Sequence, residues 1–406
     1  MSTGTLTFET TIADWIRFIP EQPVVETWLW LSDVIGAWDS TEQRISVRRQ
    51  PRRRIEASIL LEDEIERQRE YDRLLQRLGD RIVIPFYQYS TRITQDSLIT
   101  ATKIFFNPAL TDFRDNDLAV IFRPSTEDSF LIALGTILGD GANTATPLTV
   151  DVKKGDIVAP AFNSRLDNRT AINMTTVSGA ITFKALVEDF RSTFERPGST
   201  AVIDTFDSLN VLDRTPLVIG VVPETFDVRP TIVDNEAGQH DQKVSWLHAF
   251  IDGVRTFNIK RVLDPTEMDY WRDFIVAARG QRNSFLMPSW REDLFLATPL
   301  PNPGDPSIVV TNTPYSTLYF PHDTYKRLVL VNPSAVRDYR KVTAVNDEPG
   351  GNVRLSLDTP VTSDLSWGNG FTIEYLNKVR LGSDQQKLTH FAMHTIFELV
   401  IRTTDQ

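Results

Sequence analysis

Cysteine is absent from the 406 residues. That absence excludes disulfide scaffolds, zinc ribbons, iron–sulfur clusters and thiol nucleophiles together. It fits a reducing cytoplasm, or a particle assembled there. Histidine is scarce, with five in all, so the usual proton shuttle of acid–base catalysis is in short supply. No run of 18 apolar residues exists, and no membrane span is expected. The start MSTGTLTFET lacks a basic stretch followed by an apolar one, so no secretory leader is expected. Basic charge is in deficit: 43 Lys and Arg against 54 Asp and Glu leave a net charge of −11. Such a surface repels nucleic acid on average and disfavours a sequence-reading DNA binder. An acidic lining of a passage through which DNA slides stays compatible with it.

Motifs of chemistry are missing too. Gly139-Asp140-Gly141 lacks the third glycine of a phosphate cradle and no long helix follows it, so a hairpin turn is expected. No G-x-x-x-x-G-K-S/T loop and no G-x-S-x-G elbow occurs. His390-x-x-x-His394 has zincin spacing, but the run KLTHFAMHTIFELVI reads as one long strand and no nearby acid completes a ligand set. Asp112–Asp117 (DFRDND) lacks the glycine and final Glu of a calcium loop and reads as a solvated loop. Among 54 acidic residues no pair has a catalytic context. Neither enzymatic activity nor a cofactor is expected.

What is present is a rhythm of short runs rich in Val, Ile, Thr, Phe and Tyr between turn residues: 81–89, 118–122, 148–152, 327–331, 353–357 and 371–376. These read as strands. Two segments read as helices. In the first, about 63–78, Asp63 caps the start and Gly79 ends it; in the second, about 265–279, Asp264 caps, Pro265 takes the first position and Gly280 ends it. A mainly β fold with few helices follows.

The two helices belong to an internal match. At an offset of 201 residues, Arg54 falls on Arg255, Asp63 on Asp264, Glu66 on Glu267, Asp72 on Asp273, Gly79 on Gly280 and Arg81 on Arg282. Weaker matches follow in order: 104–106 with 318–320, 118–122 with 327–331, 139–152 with 346–357, and a closing strand in each, 181–187 and 391–401. The chain is therefore expected to hold two diverged tandem copies of one β-sheet and barrel domain, at 1–195 and 225–406, joined by 196–224. Each copy has one amphipathic helix and an inserted small barrel or sandwich, at about 90–180 and about 295–385.

Two clusters are candidates for contact with partners. Arg48, Arg49, Arg52, Arg53 and Arg54 place five arginines in seven positions around Pro51, suited to a solvated hairpin or edge strand, to docking on an acidic neighbouring subunit, or to DNA contact. Trp28 and Trp30 lie in a tryptophan-rich start, and Trp290 in the second copy; core, subunit contact and sugar stacking are the roles open to them.

The order from Trp28 to Tyr89 is a strand, a turn at 39–44, the arginine-rich strand with Arg52-Arg53-Arg54, a helix, Gly79 and an aromatic strand with Pro85. It resembles the tail-tip proteins of long-tailed bacteriophages, the distal-tail and baseplate-hub families. Residues 252–290 look like the same pattern with a shorter hairpin. The resemblance implies a tail-tube-like fold, no catalysis, and a ring around the tail channel at the tip of a virion assembled in the bacterial cytoplasm. It further implies contacts with the tail tube protein, the tape-measure protein and other hub, baseplate or fibre proteins, with DNA passing without specific binding. Two copies per chain imply a trimer with pseudo-sixfold symmetry, or else a hexamer. The other function the sequence allows is a glycan-binding β-sandwich module contacting the host cell surface, with Trp28, Trp30 and Trp290 stacking on sugar.

Overall fold

The computed structural model of the chain describes residues 14–17, 19–36, 42–61, 63–109, 111–126, 128–167, 171–174, 179–188, 202–214, 224–227, 232–233, 242–243, 254–297, 304–311, 313–332, 336–362, 372–391 and 394–404. The fold is mainly β with few helices. Among the described residues no helix is long and apolar enough to cross a membrane.

The first half begins with β1 (Glu21–Leu29), a hairpin of β2 (Ser32–Gly36) and β3 (Glu42–Ser46), and β4 (Arg52–Leu61). Helix α1 (Glu64–Gln76) leads to β5 (Arg81–Pro85). There follow β6 (Thr91–Gln95), β7 (Lys103–Phe106), β8 (Leu118–Arg123), β9 (Asp128–Leu138) and β10 (Gly141–Thr144). The long β11 (Ile157–Leu166), β12 (Ala171–Met174) and β13 (Gly179–Val187) complete it. A short hairpin of β14 (Thr205–Phe206) and β15 (Leu209–Asn210) comes next.

The second half repeats the order. β16 (Glu224–Asp227), β17 (Ile232–Val233), β18 (Gln242–Lys243) and β19 (Val254–Leu263) precede α2 (Pro265–Ala278) and β20 (Phe285–Pro288). Then come β21 (Ser307–Val310), β22 (Arg327–Val331), β23 (Arg337–Asp347), β24 (Val353–Leu357), β25 (Thr372–Leu381), β26 (Gln385–His390) and β27 (Thr395–Thr403).

Among the described residues the strand ladders of both halves are antiparallel and follow one plan. In the first half β1 pairs β4, β4 pairs β13, β13 pairs β12 and β11, and β11 pairs β5. In the second, β16 pairs β19, β19 pairs β27, β27 pairs β26 and β25, and β25 pairs β20. The first end of β11 leaves this sheet and closes a six-stranded barrel in the order β6, β7, β10, β9, β8, β11. Ile93, Ile104, Phe106, Ile121, Leu134 and Val158 fill that barrel. The first end of β25 does the same with β22, β23, β24 and β21. Single bridges at Leu294 and Leu296 stand where β6 stands in the first barrel. Each half also takes a parallel bridge from a preceding segment: Trp15 to Val83 on β5, and Val211 to Leu286 on β20. The segment between the proposed copies thus includes residues that pack into the second half.

The helices form where expected. Asp63 Oδ1 accepts from the Ile65 N–H (2.8 Å), and Asp264 Oδ1 from the Glu267 N–H (2.8 Å), satisfying donors that a first turn leaves free. Gly79 (φ +81°) and Gly280 (φ +65°) end them in the left-handed region.

Several local expectations are corrected. The strand at 81–89 stops at Pro85, and Tyr87–Tyr89 forms a 3-10 turn. Residues 148–152 are not a strand; short bonds to Ser97, Thr100 and Ala101 hold them instead, and β10 is the counterpart of β24. The counterpart of 104–106 is β21, because residues 318–320 belong to a π-helical turn and its end (Tyr315–Tyr319). The run 387–401 is a hairpin rather than one long strand: β26 and β27 pair, and the Phe391 N–H donates to the His394 carbonyl (2.9 Å).

Candidate functional site

The two halves meet along one strand. β1 pairs β4 on one edge and β26 on the other, with Val24 opposite His390 and Leu29 opposite Gln385. The main sheet therefore runs without interruption from the first half into the second. Alternation along β1 places Val24, Glu26, Trp28 and Trp30 on its buried side. Val24 lies in the core of the first half, while Trp28 lies in the core of the second, with Trp271, Leu388 and Phe397. At about 25 cal/mol per Å² of apolar surface, one such side chain contributes a few kcal/mol to holding the halves together.

Beside Trp28 lies a buried group of charges. Glu26 Oε1 accepts from Trp28 Nε1 (2.7 Å) and from Arg53 Nε, and Glu26 Oε2 bonds His390 Nε2 (2.9 Å). His390 Nδ1 bonds Thr395 Oγ1 (2.8 Å). Asp112 Oδ2 accepts from Arg272 Nη2 (2.8 Å) and Arg53 Nη1 (3.4 Å), and its Oδ1 from Arg114 (3.1 Å). Arg53 also lies over Phe162 (4.5 Å) and Phe86 (5.1 Å), which gives the cation aromatic faces where water is excluded. Burial alone would push the Glu26 carboxyl up; Arg53, His390 and Arg272 outweigh it and hold the pKa at about 2. Burial opposes the charge on Arg53 and Arg272, yet the carboxylates beside them raise both. The group ties four parts of the chain: the first sheet through Glu26 and Arg53, the first barrel through Asp112 and Arg114, helix α2 through Arg272, and β26 through His390.

The seam continues outward. The Trp30 N–H donates to the Asp384 carbonyl (2.9 Å), and Asp384 Oδ1 accepts from the Gln281 N–H (2.9 Å). A Cβ on Gly280 would come within 2.7 Å of Trp30 Cβ and 2.4 Å of Asp384 Oδ1, so the close approach requires glycine there. The β2–β3 hairpin clasps the second half through Arg380 and Glu42 (2.7 and 2.9 Å) and through Arg44 and Ser284 (2.9 Å). Its other face exposes Leu31, Ile35, Ile45 and Val47.

Both helices cover the same side of the continuous sheet. Leu74 of α1 packs with Ile55 and Ile59, and Trp271 of α2 packs with Leu388 and Phe397, on rungs that β1 links. On the other side, among the described residues, Arg52, Arg54, Leu60, Val262, Lys387, Glu398 and Val400 are exposed. That side carries Arg52, Arg54, Lys184, Lys387 and Arg402 beside Glu56 and Glu398, a mixture of both signs.

The predicted contact residues separate accordingly. Arg49, Arg52 and Arg54 are exposed and Arg48 is half-buried, but Arg53 is interior, because β4 alternates and Arg53 falls on the core side. Trp28 and Trp30 are buried and present no face to a sugar. Trp290, half-buried with φ +52°, packs against the second core. Asp112 is no solvated loop residue: it is fully buried under three arginines. Nothing in the sequence marked Glu26 or Arg272, though a lone acid between apolar neighbours in VVETWLWL was a usable signal. His390 is committed to Glu26 and Thr395, and among the described residues no group of three or more His, Asp or Glu is placed to hold a metal. No known protein family matches the chain, and no curated protein is similar to it in sequence.

Proposed function

We propose that the chain is an architectural ring subunit of a bacteriophage tail tip, joining the tail tube to the hub and its fibres. The observation that carries this is one strand-pairing plan present twice, with the sheet passing unbroken from one copy to the other. Two units already joined side by side are a segment of a ring, and the charge-locked seam holds them as one rigid piece. Three chains then supply six units, matching a sixfold tube to a threefold tip. The side of the sheet opposite the two helices lines the passage. Its mixed charge favours weak, salt-sensitive contact with passing DNA rather than specific binding. The exposed Arg49, Arg52 and Arg54 and the apolar face of the β2–β3 hairpin meet neighbouring tail proteins.

Light scattering across a concentration series, with electron micrographs of the same sample, tests the proposal. Closed rings of about three chain masses with six lobes are the expected result. A strict monomer at high concentration overturns it.

A further inference from the structure

One strand pair breaks the equivalence of the halves. Each pairing inside the first half has its counterpart inside the second, but β1–β26 joins the halves, and its counterpart, β16 with β12, is not made within the chain among the described residues. β16 holds the place of β1, outside β19; β12 holds the place of β26, outside β13. Among the described residues each has a strand partner on one edge.

The register of the missing pair can be derived. Val25 faces Glu56 and Trp28 faces Arg53 on β4; Glu224 faces Phe257 and Asp227 faces Val254 on β19. Those partners are 201 residues apart, so Glu224–Asp227 stands for Val25–Trp28. Gly179 faces Leu61, and Ile396 faces Val262, again 201 residues apart. Met174 faces Gly179 and Thr389 faces Ile396, so Ala171–Met174 stands for Gln386–Thr389. In the seam that is made, Val25 faces Thr389 and Trp28 faces Gln386.

We propose that β16 of one chain pairs antiparallel with β12 of a second copy, in the register Glu224↔Met174, Thr225↔Asn173, Phe226↔Ile172 and Asp227↔Ala171. The occupant is a second copy because the seam within the chain already shows this edge taking its complement. This rests on the ring reading above and names the contact that would close the ring. The contact is head-to-tail: every chain offers one β16 edge and one β12 edge, so addition continues until the circle closes. Thr225 and Asp227 stand where the seam within the chain has Glu26 and Trp28, so the contact between chains lacks the buried acid and the aromatic anchor. It forms chiefly through backbone bonds and the aromatic to β-branched rung Phe226↔Ile172, and separates more readily.

The absence of native cysteine makes the test clean. Full-length Thr225→Cys and Asn173→Cys chains, each otherwise unchanged, are mixed and oxidised. A covalent dimer in the mixture, with little in either chain alone, is expected. The double variant should give a ladder ending in a closed ring. Phe226→Cys with Ile172→Cys is a second in-register pair, covering the dependence of disulfide formation on rung geometry. Thr225→Cys with Ile172→Cys is one residue out of register and places the thiols on opposite sides of the sheet; about tenfold less product is expected. Rings by light scattering without in-register crosslinking overturn the pairing and leave the ring reading standing. Monomers at every concentration overturn both. A double variant that links only within one chain, with no dimer from the mixed singles, also overturns the pairing.

Discussion

Helices α1 and α2 occupy the same place in the two halves, and they are sealed in different ways. At the 201-residue offset, Trp271 and Phe274 of α2 fall on Glu70 and Arg73 of α1. In the second half the two rings meet edge to face at 6.2 Å, within an aromatic core that also takes in Trp28 from the other half. In the first half the same positions hold an ion pair, with Arg73 also bonded to Asp14 and to the Trp15 carbonyl (3.1 Å). Ile65 of α1 is exposed, whereas Met268, Tyr270, Trp271, Phe274, Ile275 and Ala278 of α2 are buried. One backbone plan thus tolerates a wet helix and a dry one. The dry helix is the one that meets the seam.

The comparison can be broken at matched positions. Trp271→Ala should cost roughly 3–5 kcal/mol in urea unfolding, and Glu70→Ala less, about 1–2 kcal/mol, because one leaves a cavity and the other removes a buried carboxylate whose arginine keeps Asp14 as a partner. Equal losses would mean that the two helices carry the same load. Glu26→Gln should cost roughly 3–5 kcal/mol, since it leaves the buried Arg53 with only the more distant Asp112 (3.4 Å) to balance its charge. It should also split one unfolding transition into two, as the halves lose their common lock; a single unshifted transition would contradict this.

Acid acts on the same lock. Folding lowers the Glu26 pKa to about 2 from its ordinary 4.5, so its contribution is complete above about 4.5 and disappears as the pH falls through about 2. The loss is on the order of 3 kcal/mol. Burial pushes Asp338 and Glu374 in the second half upward, and these act with the opposite sign, favouring the folded state in acid and losing that effect as the pH rises. The difference between the native chain and Glu26→Gln in a pH series of unfolding midpoints isolates the Glu26 part; a difference that stays flat from pH 5 to 2 counts against the lock.

The paired helix ends should differ by a smaller margin than the helix cores. Gly79→Ala meets no atom within 4 Å and costs only the left-handed conformation, about 1–2 kcal/mol. Gly280→Ala adds a clash with Trp30 and Asp384, so it should cost more and should selectively quicken hydrogen exchange in β1. Similar exchange in the two variants would show that Gly280 is only a helix end.

Where local rules suffice, the structure was legible in advance. Asp63 with Gly79 and Asp264 with Gly280 bounded both helices, and the offset between them announced the repetition of strand order. What stayed hidden depends on distant partners or unmarked turns. Phe391–His394 contains no Gly, Pro, Asn or Asp, so the reversal between β26 and β27 gave no turn signal. Residues 148–152 have the composition of a strand, but their backbone bonds go to a short loop. The pairing of β1 with β26 joins segments near opposite ends of the chain, which no periodicity encodes. Arg53 is interior because β4 alternates and Asp112 because three arginines converge on it, against the ordinary expectation that an arginine cluster and an acidic loop face water.

β11 and β25 each run from a barrel wall into the main sheet without a break. A barrel on a flexible tether swivels; one whose wall is also a sheet strand cannot turn without shearing that strand's hydrogen bonds. Force arriving at either barrel is therefore delivered as sliding along a strand, the direction in which many backbone bonds resist together. The chain behaves as a stiff bracket, and a displacement at either barrel reaches the main sheet directly.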